Sequence, residues 1–477
     1  MAGVKRDFAS LRLDAPLLTT LGELGFTKPS PIQSSGIPIL LAGRDLIGQA
    51  QTGSGKTAAF ALPILQQIEL GNRGVQALVL CPTRELSAQV AREVRKLGRR
   101  YAGLAVLEVV GGQPGRPQRE ALERGVHCVV GTPGRVLDHL QRGSLDASGL
   151  RTVVLDEADR MLDMGFGAEV TQILEALPSR RQTALFSATF PKQISEISRA
   201  HQHQAARITM EETADEVVEI DQRQLIVSPE DRFHGLCWVL DRYPSESAIV
   251  FCNLKATVAE VTLGLARGGV SAGRLDGSLD QFHRDQVLSR FRNQSLRVLV
   301  ATDVAGRGID VEGLDLVVNY EFPLQPEIYV HRIGRTGRAG ERGVAVSLVQ
   351  DSGDPRLQSA EALTGQPIQT LRWDQEEIRS SKQLLAELAG PPRMETLLIS
   401  GGRKDKVRAG DLVGALTGQA GGLEGAQVGK IEVRDRLSYV AVSNGHGRRA
   451  AERLNAGRIK GKKFRATLIE TTEQLER

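Results

Sequence analysis

Short apolar runs alternate with longer amphipathic segments along most of the chain, and this alternation limits the fold more than any other feature. Runs such as Ala77–Cys81 and Thr152–Leu155 have the length of buried strands, and segments such as Thr83–Arg99 have the length and spacing of helices. Apolar runs without a polar face are typical of parallel strands that helices cover on both sides. The pattern therefore predicts an α/β fold built on a parallel sheet.

The alternation stops once and then resumes, which predicts two such sheets in tandem. Residues 211–216 are acidic and polar, and strand-like runs return at Ser247–Phe251 and Arg297–Ala301. We expect a first α/β domain over residues 1–210, a short acidic linker, and a second α/β domain over residues 217–370.

The last part of the chain has another order of elements. A helix is predicted over Trp373–Leu388, inside a linker over residues 371–393, and Gly390-Pro391-Pro392 is expected to end it. Residues 394–470 then read β-α-β-β-α-β, the order of small ferredoxin-like, RRM-like modules. The predicted strands are Thr396–Ser400, Gly429–Val433, Ser438–Val442 and Arg465–Leu468, and the predicted helices are Arg408–Leu416 and Arg448–Leu454.

Positive charge is concentrated in this tail. The chain has a net charge of +4, but residues 394–477 contain 16 Lys and Arg against 10 Asp and Glu, which leaves 45 against 47 elsewhere. Clustered cations suit a phosphate backbone, although an ordinary solvated basic surface would explain the charge equally well. The tail is therefore a candidate nucleic-acid-binding module.

Nothing in the sequence indicates secretion or a membrane. The four cysteines are far apart and form no C-x-x-C pair, so neither a disulfide framework nor a zinc site is indicated. Residues 1–10 have no apolar signal region, and no apolar run approaches the ~20 residues of a membrane span. We expect a cytoplasmic, monomeric protein.

A glycine-rich segment follows the predicted strand at residues 45–47 and opens a helix. It reads Ala50-Gln-Thr-Gly-Ser-Gly-Lys56-Thr57, and its backbone N–H groups can surround phosphates at the helix N-terminus. Lys56 would reach the β- and γ-phosphates and Thr57 would bind Mg²⁺. Ala50 stands where the strict pattern has glycine, so a glycine turn without a ligand is the alternative. The other loop residues expected at the phosphates are Thr52, Gly53, Ser54 and Gly55.

Two carboxylates follow a predicted strand in the same domain. Thr152–Leu155 leads into Asp156-Glu157-Ala158-Asp159. Beside a phosphate loop, Asp156 suits Mg²⁺ coordination and Glu157 suits activation of a water molecule. Acidic residues also occur at helix N-termini simply because they favour the helix dipole. The presence of Lys56 and Thr57 in the same domain favours the first interpretation.

The second α/β domain lacks a phosphate loop but carries His331-Arg332-Ile-Gly-Arg335-Thr-Gly-Arg338. Arg335 and Arg338 could meet a γ-phosphate from across a cleft and neutralise charge in the transition state, as arginine fingers do. A surface arginine cluster is the alternative. We expect Lys56, Thr57, Asp156, Glu157, Arg335 and Arg338 to form the catalytic set, with a nucleoside triphosphate and Mg²⁺ as cofactors; the family resemblance described next implies that the nucleotide is ATP.

Further segments occur in the order found in the DEAD-box RNA helicases, and the first 370 residues or so closely resemble that family. The segments in the first domain are Gly25–Gln33 with Phe8 upstream, the phosphate loop, Pro82–Leu86, Gly111-Gly112, Thr132–Arg135, Asp156–Asp159 and Ser187–Thr189. Those in the second are Phe251–Asn253, Gln281–Arg284, Thr302–Asp310 and His331–Arg338. Two positions depart from the family pattern: Ser87 usually is Ala, and Gly306 usually is Ala or Ser. The resemblance implies two RecA-like domains.

The resemblance also implies roles for single residues. The expected adenosine and phosphate contacts include Phe26, Lys28, Gln33, Asp303 and Gly306. RNA backbone would be held by Arg84, Gly112, Thr132, Arg135, Arg284 and Thr302. Coupling between the state of ATP and the grip on RNA would depend on Asp159, Ser187, Thr189 and His331. In this family ATP and RNA each bridge the two domains, so each is expected to favour the other's binding.

The tail resembles the C-terminal RNA-binding domain of the DbpA helicases. The similarity is carried by Thr396–Lys406, Val428–Ile431, Ser438–Val442 and Ile459–Phe464. It implies that the tail anchors the enzyme on a hairpin of large-subunit (23S) ribosomal RNA, in the service of ribosome assembly. RNA-recognition modules usually stack bases on two or three aromatic residues of the sheet, and here the central strand offers only Tyr439. We therefore expect the basic loops to bind RNA, through Arg403, Lys404, Lys406, Lys462 and Lys463.

The sequence is thus interpreted as an ATP-dependent RNA helicase that remodels structured RNA. Two alternatives remain open at this point. One is a general mRNA-remodelling helicase whose tail only adds affinity, and the other is an ATP-gated RNA clamp without productive unwinding.

Overall fold

The computed structural model describes residues 7–50, 54–210, 220–306, 314–337, 343–373, 379–418 and 422–469. Its contacts divide the chain into two compact units, Met1–Glu216 and Val217–Arg477. The acidic linker predicted at residues 211–216 lies outside the described residues.

The first unit is built on a seven-stranded sheet whose described pairs are all parallel. The strands are β1 (Leu46–Gln49), β2 (Ala77–Leu80), β3 (Val106–Val109), β4 (Cys128–Gly131), β5 (Thr152–Leu155), β6 (Gln182–Ser187) and β7 (Ala206–Thr209), in the order β3-β4-β2-β5-β6-β1-β7. Leu78 and Val79 belong to different hydrophobic clusters because successive side chains point to opposite faces. Both faces are buried, which explains why the strands read as continuous apolar runs.

Helices surround this sheet. They are α1 (Ala15–Glu23), α2 (Pro31–Leu41), α3 (Lys56–Gln67), α4 (Arg84–Leu97), α5 (Gly115–Glu123), α6 (Pro133–Gln141), α7 (Ala158–Asp163), α8 (Gly167–Ala176) and α9 (Lys192–His201), after a 3₁₀ turn at Phe8–Leu11. Side-chain caps fix several of their starts: Thr83 accepts a hydrogen bond from the Leu86 N–H at 3.2 Å and so begins α4. The Ser87 hydroxyl, one of the two departures from the family pattern, donates to the Thr83 carbonyl at 2.9 Å and is thus satisfied within the helix.

The second unit repeats the plan. Its seven parallel strands are β8 (Ile220–Ile226), β9 (Ala248–Cys252), β10 (Ala272–Leu275), β11 (Val298–Thr302), β12 (Leu316–Asn319), β13 (Gly343–Val349) and β14 (Gln369–Leu371), in the order β10-β11-β9-β12-β13-β8-β14. The helices are α10 (Arg232–Arg242), α11 (Lys255–Arg267), α12 (Gln281–Arg292), α13 (Asp303–Gly306), α14 (Pro326–Ile333), α15 (Pro355–Thr364) and α16 (Ser381–Leu388). The expectation of two RecA-like parallel sheets is confirmed.

Helix α16 lies within the segment that the sequence suggests is a linker. It begins at Ser381, and not at Trp373, because Ser380 and Gln383 form a capping box at its start. Its leucines Leu384, Leu385 and Leu388 are buried in the same hydrophobic cluster as strands β9 and β11. A Cβ on Gly268, at the C-terminus of α11, would lie 2.7 Å from Leu385, so the two segments are in close contact. This helix therefore packs as part of the second sheet's core.

The tail forms a four-stranded antiparallel sheet with two helices, the β-α-β-β-α-β order predicted from the sequence. Its elements are β15 (Met394–Ile399), α17 (Ala409–Thr417), β16 (Val428–Val433), β17 (Ser438–Ser443), α18 (Gly447–Ala456) and β18 (Ala466–Leu468), with strand order β16-β17-β15-β18. The apolar side chains of the helices and of one sheet face make a separate small core. The RRM-like α+β fold class is confirmed.

Part of the other face of this sheet is covered by helix α12 and the loop that follows it. Arg292 donates two hydrogen bonds to Glu432 at 2.7 and 3.0 Å, and these side chains are only 10% and 13% exposed. Ser295 and Thr396 share a hydrogen bond of 2.7 Å between their hydroxyls. Tyr439 on the central strand is 1% exposed. The aromatic residue considered for base stacking is thus buried.

The ion pair explains how a carboxylate can be buried there. Burial alone would raise the pKa of Glu432, but the charge and hydrogen bonds of Arg292, together with the charges of Arg434 and Lys430, outweigh burial, so the pKa lies below its ordinary value of 4.5. The pair therefore ties the tail sheet to α12.

We expect Arg292→Ala to destabilise the second unit by roughly 2–4 kcal/mol, because Glu432 would remain buried with only its longer contacts to Ser289 at 3.2 Å and Arg434 at 3.4 Å. Trp238 and Trp373, the chain's two tryptophans, both belong to this unit, so urea unfolding followed by tryptophan fluorescence measures its free energy of unfolding. Arg393→Ala is the matched control, since it breaks an exposed pair with Glu246 (66% and 63% exposed). Equal unfolding midpoints for the two variants would contradict a stabilising role for the buried pair.

Candidate functional site

The glycine-rich segment forms the turn between β1 and α3. Gly55 has φ of +88° and precedes the first helical residue, Lys56. A Cβ on Gly55 would lie 2.4 Å from Gln33 Nε2, so this position requires glycine for space as well as for conformation. Lys56 is 6% exposed, and its ammonium donates to the Ala50 carbonyl at 2.9 Å. The lysine ammonium is therefore held within hydrogen-bonding distance of the loop backbone. Thr52 and Gly53 are not among the residues that the structure describes.

Residues expected to bind adenine are tied to this loop by hydrogen bonds. The Gln33 side-chain N–H donates to the Gly55 carbonyl at 3.1 Å, and its carbonyl oxygen accepts from the Ser30 N–H at 2.9 Å. The Ser30 hydroxyl donates to the Ser54 carbonyl at 2.7 Å. Phe26 meets the ring of Phe8 edge-on with centroids 6.1 Å apart, while Lys28 is exposed. A change in the loop conformation would therefore directly alter the hydrogen bonds of Gln33.

Two buried carboxylates follow β5. Asp156 and Glu157 are 3% and 8% exposed, and Asp156 Oδ1 and Glu157 Oε2 have no hydrogen-bond partner among the described residues. Burial raises the pKa of Asp156 to about 7, although the charge of Lys56 acts in the opposite direction. Glu157 has a φ of +52°, a backbone conformation that non-glycine residues rarely adopt and that often occurs at functional sites. Arg160 Nε lies 3.8 Å from Glu157 Oε2 and supplies a positive charge there, whereas Asp156 Oδ1 still needs a cation or a proton beside it.

A magnesium ion with its nucleotide fits this donor set. Mg²⁺ is usually held by one or two carboxylates together with phosphate oxygens and water. Asp156 supplies an unpartnered oxygen atom, and Thr57 stands at the first turn of α3. No cluster of three or more His, Cys, Asp or Glu side chains suited to a metal occurs in the described ranges.

Asp159 joins the carboxylate segment to the end of β6. Its Oδ2 atom accepts from the Ala188 N–H at 3.1 Å and from the N–H and hydroxyl of Thr189 at 2.8 and 3.0 Å. Ser187 Oγ donates to the Thr189 carbonyl at 2.6 Å and accepts from the Asp159 N–H at 3.3 Å. Strand β6 lies between β5 and β1, so these bonds connect neighbouring strand ends beside the phosphate loop. The structure thus brings together three of the four residues expected to couple ATP and RNA.

The RNA residues expected in the first domain lie after the ends of three further strands, β2, β4 and β3. A Cβ on Gly112, which has a φ of +71°, would lie 1.9 Å from the Arg84 guanidinium, so that side chain packs directly on the glycine. The Arg135 guanidinium donates to the Gln113 carbonyl at 3.2 Å. The Thr132 N–H donates to the Val109 carbonyl at 3.1 Å. Arg84, Gly112, Thr132 and Arg135 therefore lie side by side at one edge of the sheet.

A buried polar chain beneath these residues was not predicted from the sequence. Gln118 of α5 donates to the Val110 carbonyl at 3.0 Å, and its side-chain oxygen lies 3.0 Å from His139 Nε2 on α6. His139 Nδ1 lies 2.8 Å from the Ser144 hydroxyl. Burial, followed by the positive charge of Arg135, lowers the pKa of His139. The chain fixes the Gly111-Gly112 turn relative to the helix that carries Arg135. Its only sequence signal is that Arg135 and His139 are one helical turn apart.

In the second unit the buried Arg332 side chain makes polar contacts with several strand ends, a role that the sequence does not predict. Its guanidinium donates to both oxygens of Asp303 at 2.5 and 2.7 Å and to Asn253 Oδ1 at 2.8 Å. It also donates to Asn319 Oδ1 at 3.1 Å and to the Glu321 carbonyl at 2.7 Å. These contacts connect the ends of strands β9, β11 and β12. Arg332 therefore holds Asp303, the expected ribose ligand, in one orientation.

The other predicted residues of the second unit lie on β11, α12, α13, α14 and the turn after α14. Thr302 ends β11 and is 7% exposed, and Arg335, in the turn after α14, is 6% exposed. Arg284 lies on α12 and His331 on α14. A Cβ on Gly306 would lie 2.7 Å from the Phe251 ring, so the Ala or Ser usual at this position would require that ring to move. Arg338 lies outside the described residues.

The basic tail residues meet at one end of the small domain. The Lys404 N–H donates to the Asp435 carbonyl at 2.9 Å, and the Lys460 ammonium donates to the Lys406 carbonyl at 3.1 Å. These bonds join the loop after β15, the β16–β17 turn and the loop before β18. Arg403, Lys404, Lys462 and Lys463 are exposed there, and the first two are only loosely paired with Asp435, at 3.9 and 4.0 Å.

Family models match the chain in three places. A model described as DEAD/DEAH box helicase matches residues 30–197, one described as helicase conserved C-terminal domain matches residues 231–340, and one described as DbpA RNA binding domain matches residues 396–468. No described helix has the length and apolar character needed to span a membrane.

Similar proteins cover nearly the whole chain. It is 45% identical over 464 residues to the ATP-dependent RNA helicase DbpA of Escherichia coli (strain K12), which is 97% of this chain and 99% of that protein. It is 37% identical over 472 residues to the protein of the same name from Bacillus subtilis (strain 168), covering 96% and 98%. Among solved structures, S. cerevisiae Dbp5 bound to RNA and ADP BeF3 aligns with a TM-score of 0.70 at 30% identity, over 81% of this chain and 100% of that one.

We expect His139→Ala to raise the RNA concentration needed for half-maximal ATPase stimulation by roughly 10-fold, because Gln118 and the Gly112 turn lose their anchor. The KM for ATP should change little, since the side-chain partners of His139 are Gln118 and Ser144 and not the phosphate loop. Arg142→Ala, which removes an exposed arginine (64% exposed) three residues along, is the control. A parallel rise in the KM for ATP would show general damage and argue against a positioning role.

Proposed function

The chain belongs to the DbpA group of DEAD-box RNA helicases, and on that premise we propose that it remodels large-subunit ribosomal RNA during ribosome assembly. It is an ATP-dependent RNA helicase. The assembly role and the 23S target are the proposal, together with a monomeric, cytoplasmic enzyme. The main support for this proposal is the basic RRM-like tail, because a general RNA helicase core needs no such domain.

ATP hydrolysis is assigned to the edge of the first sheet. Lys56 neutralises the β- and γ-phosphates, and Gln33 and Phe26 select adenine by hydrogen bonding and stacking. Mg²⁺ would be held by Asp156 and Thr57 and would supply positive charge to the phosphate oxygens. The second carboxylate, Glu157, orients the attacking water and accepts its proton.

Residues of the second unit act on the same nucleotide in this proposal. Asp303, oriented by Arg332, meets the ribose. Arg335 and Arg338 stabilise charge on the transferred γ-phosphate, because planar guanidinium groups donate to two oxygens at once. The low exposure of Arg335 supports a preorganised rather than a freely moving side chain.

RNA is held in the first unit by Arg84, Gly112, Thr132 and Arg135, and in the second by Arg284 and Thr302. Backbone contacts of this kind position RNA but carry no sequence information. Sequence or shape selection is therefore assigned to the tail, whose basic end presents Arg403, Lys404, Lys406, Lys462 and Lys463. The burial of Tyr439 supports loop-based binding, because the ordinary stacking position on the sheet is covered.

Replacing Glu157 tests the assigned chemistry. Glu157→Gln should retain ATP and RNA binding but reduce turnover by roughly 100-fold or more, because an amide cannot accept the proton of the water molecule. Lys56→Ala should instead weaken nucleotide binding. The measurements are steady-state ATPase rates and equilibrium binding of a labelled ATP analogue. Turnover of Glu157→Gln near the wild-type rate would exclude Glu157 as the base.

Replacing the tail cations tests the RNA target. We expect a 23S-derived hairpin to stimulate the ATPase at far lower concentration than an unstructured RNA. Combined alanine changes at Lys404, Lys406, Lys462 and Lys463 should remove this advantage. They should also flatten the salt dependence of hairpin binding, by roughly 0.7–0.9 in log–log slope for each RNA phosphate that the protein no longer neutralises.

Lys382→Ala, an exposed lysine on α16, is the matched control and should retain the advantage. Equal stimulation of the wild-type chain by both RNAs would favour a general remodelling helicase. Hairpin binding without stimulated turnover would favour an ATP-gated clamp.

A further inference from the structure

Helix α14 packs against the second sheet through Tyr329, whose side chain is fully buried (0% exposed). The ring contacts Phe322, with centroids 5.2 Å apart, and belongs to the hydrophobic cluster that also contains Val317 of β12 and Ala345 of β13. A phenylalanine ring could make the same apolar contacts. The hydroxyl group therefore needs a separate explanation, because a buried polar atom is unfavourable unless it is hydrogen-bonded.

The partners of the Tyr329 hydroxyl group lie on strands of the sheet. The hydroxyl donates to Gln222 Oε1 of β8 at 3.0 Å. Burial raises the pKa of Tyr329, while a hydrogen bond with the Ser347 side chain of β13 acts in the opposite direction. Strands β8 and β13 pair with each other, and Gln222 lies opposite Ala345. The hydroxyl group thus joins α14 to two neighbouring strands of the sheet.

These contacts are the middle of a longer chain of buried hydrogen bonds. The Asn319 side chain of β12 donates to the Ser347 hydroxyl at 3.1 Å and accepts from Arg332 Nη1 at 3.1 Å. On the other side, Gln222 Nε2 donates to Gln366 Oε1 at 3.1 Å. The chain therefore extends from the buried arginine at the strand ends to the loop that precedes β14.

Helix α14 is fixed in this chain at two side chains that lie one turn apart, Tyr329 and Arg332. Apolar packing holds a helix on a sheet but has no preferred direction, so it tolerates small shifts along the helix axis. Hydrogen bonds weaken steeply when their distance or angle changes. The two polar side chains accordingly fix the position of the helix along its axis, which apolar contacts alone would not do.

The position of α14 in turn determines where Arg335 lies. The helix ends at Ile333, and only Gly334 separates it from Arg335. The Arg335 N–H donates to the Arg332 carbonyl at 3.2 Å, and its own carbonyl accepts from the Leu314 N–H at 3.1 Å. Because the connection is so short and is itself hydrogen-bonded to the helix, a shift of α14 would displace Arg335 as well.

We propose that Tyr329 is a positioning residue for ATP hydrolysis, whose hydroxyl group fixes α14 and thereby the place of Arg335. The inference rests on the proposed role of Arg335 at the γ-phosphate and adds a residue that acts through it. A group that stabilises a transition state must be placed accurately, because a displacement of ~1 Å can cost ~100-fold in rate. ATP binding is assigned mainly to the phosphate loop of the first sheet, so Tyr329 acts on turnover and not on nucleotide affinity.

Removal of the single hydroxyl group tests the proposal in the full-length chain. Tyr329→Phe retains the ring and should lower kcat of the RNA-stimulated ATPase by roughly 10-fold, while the KM for ATP changes by less than about 2-fold. Tyr243→Phe, at a partly buried tyrosine of the same unit, is the matched control and should have the wild-type kcat. An unchanged kcat in Tyr329→Phe would overturn the proposal.

The acceptor of the hydrogen bond provides a second, independent variant. Gln222→Met removes the same bond from the strand side and should lower kcat to a similar extent, again with little change in the KM for ATP. Urea unfolding followed by tryptophan fluorescence gives the stability of each variant. A kcat that falls only in the variant with the lower unfolding midpoint would show a purely structural role and contradict the proposal.

A double-mutant cycle with Arg335 identifies the route of the effect. Because Tyr329 acts through Arg335 in this proposal, Tyr329→Phe should slow single-turnover hydrolysis in the wild-type chain but have no further effect in an Arg335→Ala chain. An equal loss in both chains would overturn the inference while leaving the role of Arg335 intact. Wild-type turnover in Arg335→Ala itself would instead contradict the proposed function of Arg335, so the two failures are distinguishable.

Discussion

The geometry of parallel strands is the constraint on which the rest of this structure depends. Carboxyl ends of parallel strands meet at one edge of a sheet, so loops that are distant in sequence become neighbours there. In the first unit the strand order β3-β4-β2-β5-β6-β1-β7 collects the residues proposed to hold RNA at β3, β4 and β2, and those proposed to bind ATP at β5, β6 and β1. The two proposed sites therefore share an edge of the sheet, and the boundary between them falls between β2 and β5.

Buried hydrogen bonds join neighbouring loops at that edge, so a change in one loop affects the next. Asp159 holds the backbone of Ala188 and Thr189, and Gln33 holds the phosphate loop. The unpartnered oxygen of Asp156 is unfavourable without a cation or a ligand, because a buried carboxylate needs a compensating charge or donor. Binding of nucleotide with Mg²⁺ would relieve this and alter the neighbouring contacts. The second unit uses the same principle around Arg332, whose hydrogen bonds orient Asp303.

Much of this arrangement could be predicted from the sequence. The alternation of apolar runs predicts both parallel sheets. The motifs predict which strand ends carry the residues expected to act on ATP and RNA. The contact of the tail with α12 could not be predicted, because Glu432 and Arg292 are 140 positions apart and either could be an ordinary surface charge. Helix α16 falls in a segment predicted as a linker because its leucines become core residues only when α10 and α11 are in position. His139 and Gln118 could not be singled out, since a histidine on a helix has no signature until its partners are known.

We propose that Asp159 couples the state of ATP to the binding of RNA, and one thermodynamic measurement tests this proposal most directly. The affinity for a single-stranded RNA is determined with and without ADP–BeF3, in the wild-type chain and in Asp159→Asn, which replaces the acceptor of three hydrogen bonds. For the wild type we expect the nucleotide analogue to tighten RNA binding by roughly 5–150-fold, the usual range of coupling between sites. In Asp159→Asn this factor should fall towards one while RNA affinity without nucleotide is preserved. The same coupling factor in both chains would contradict the account.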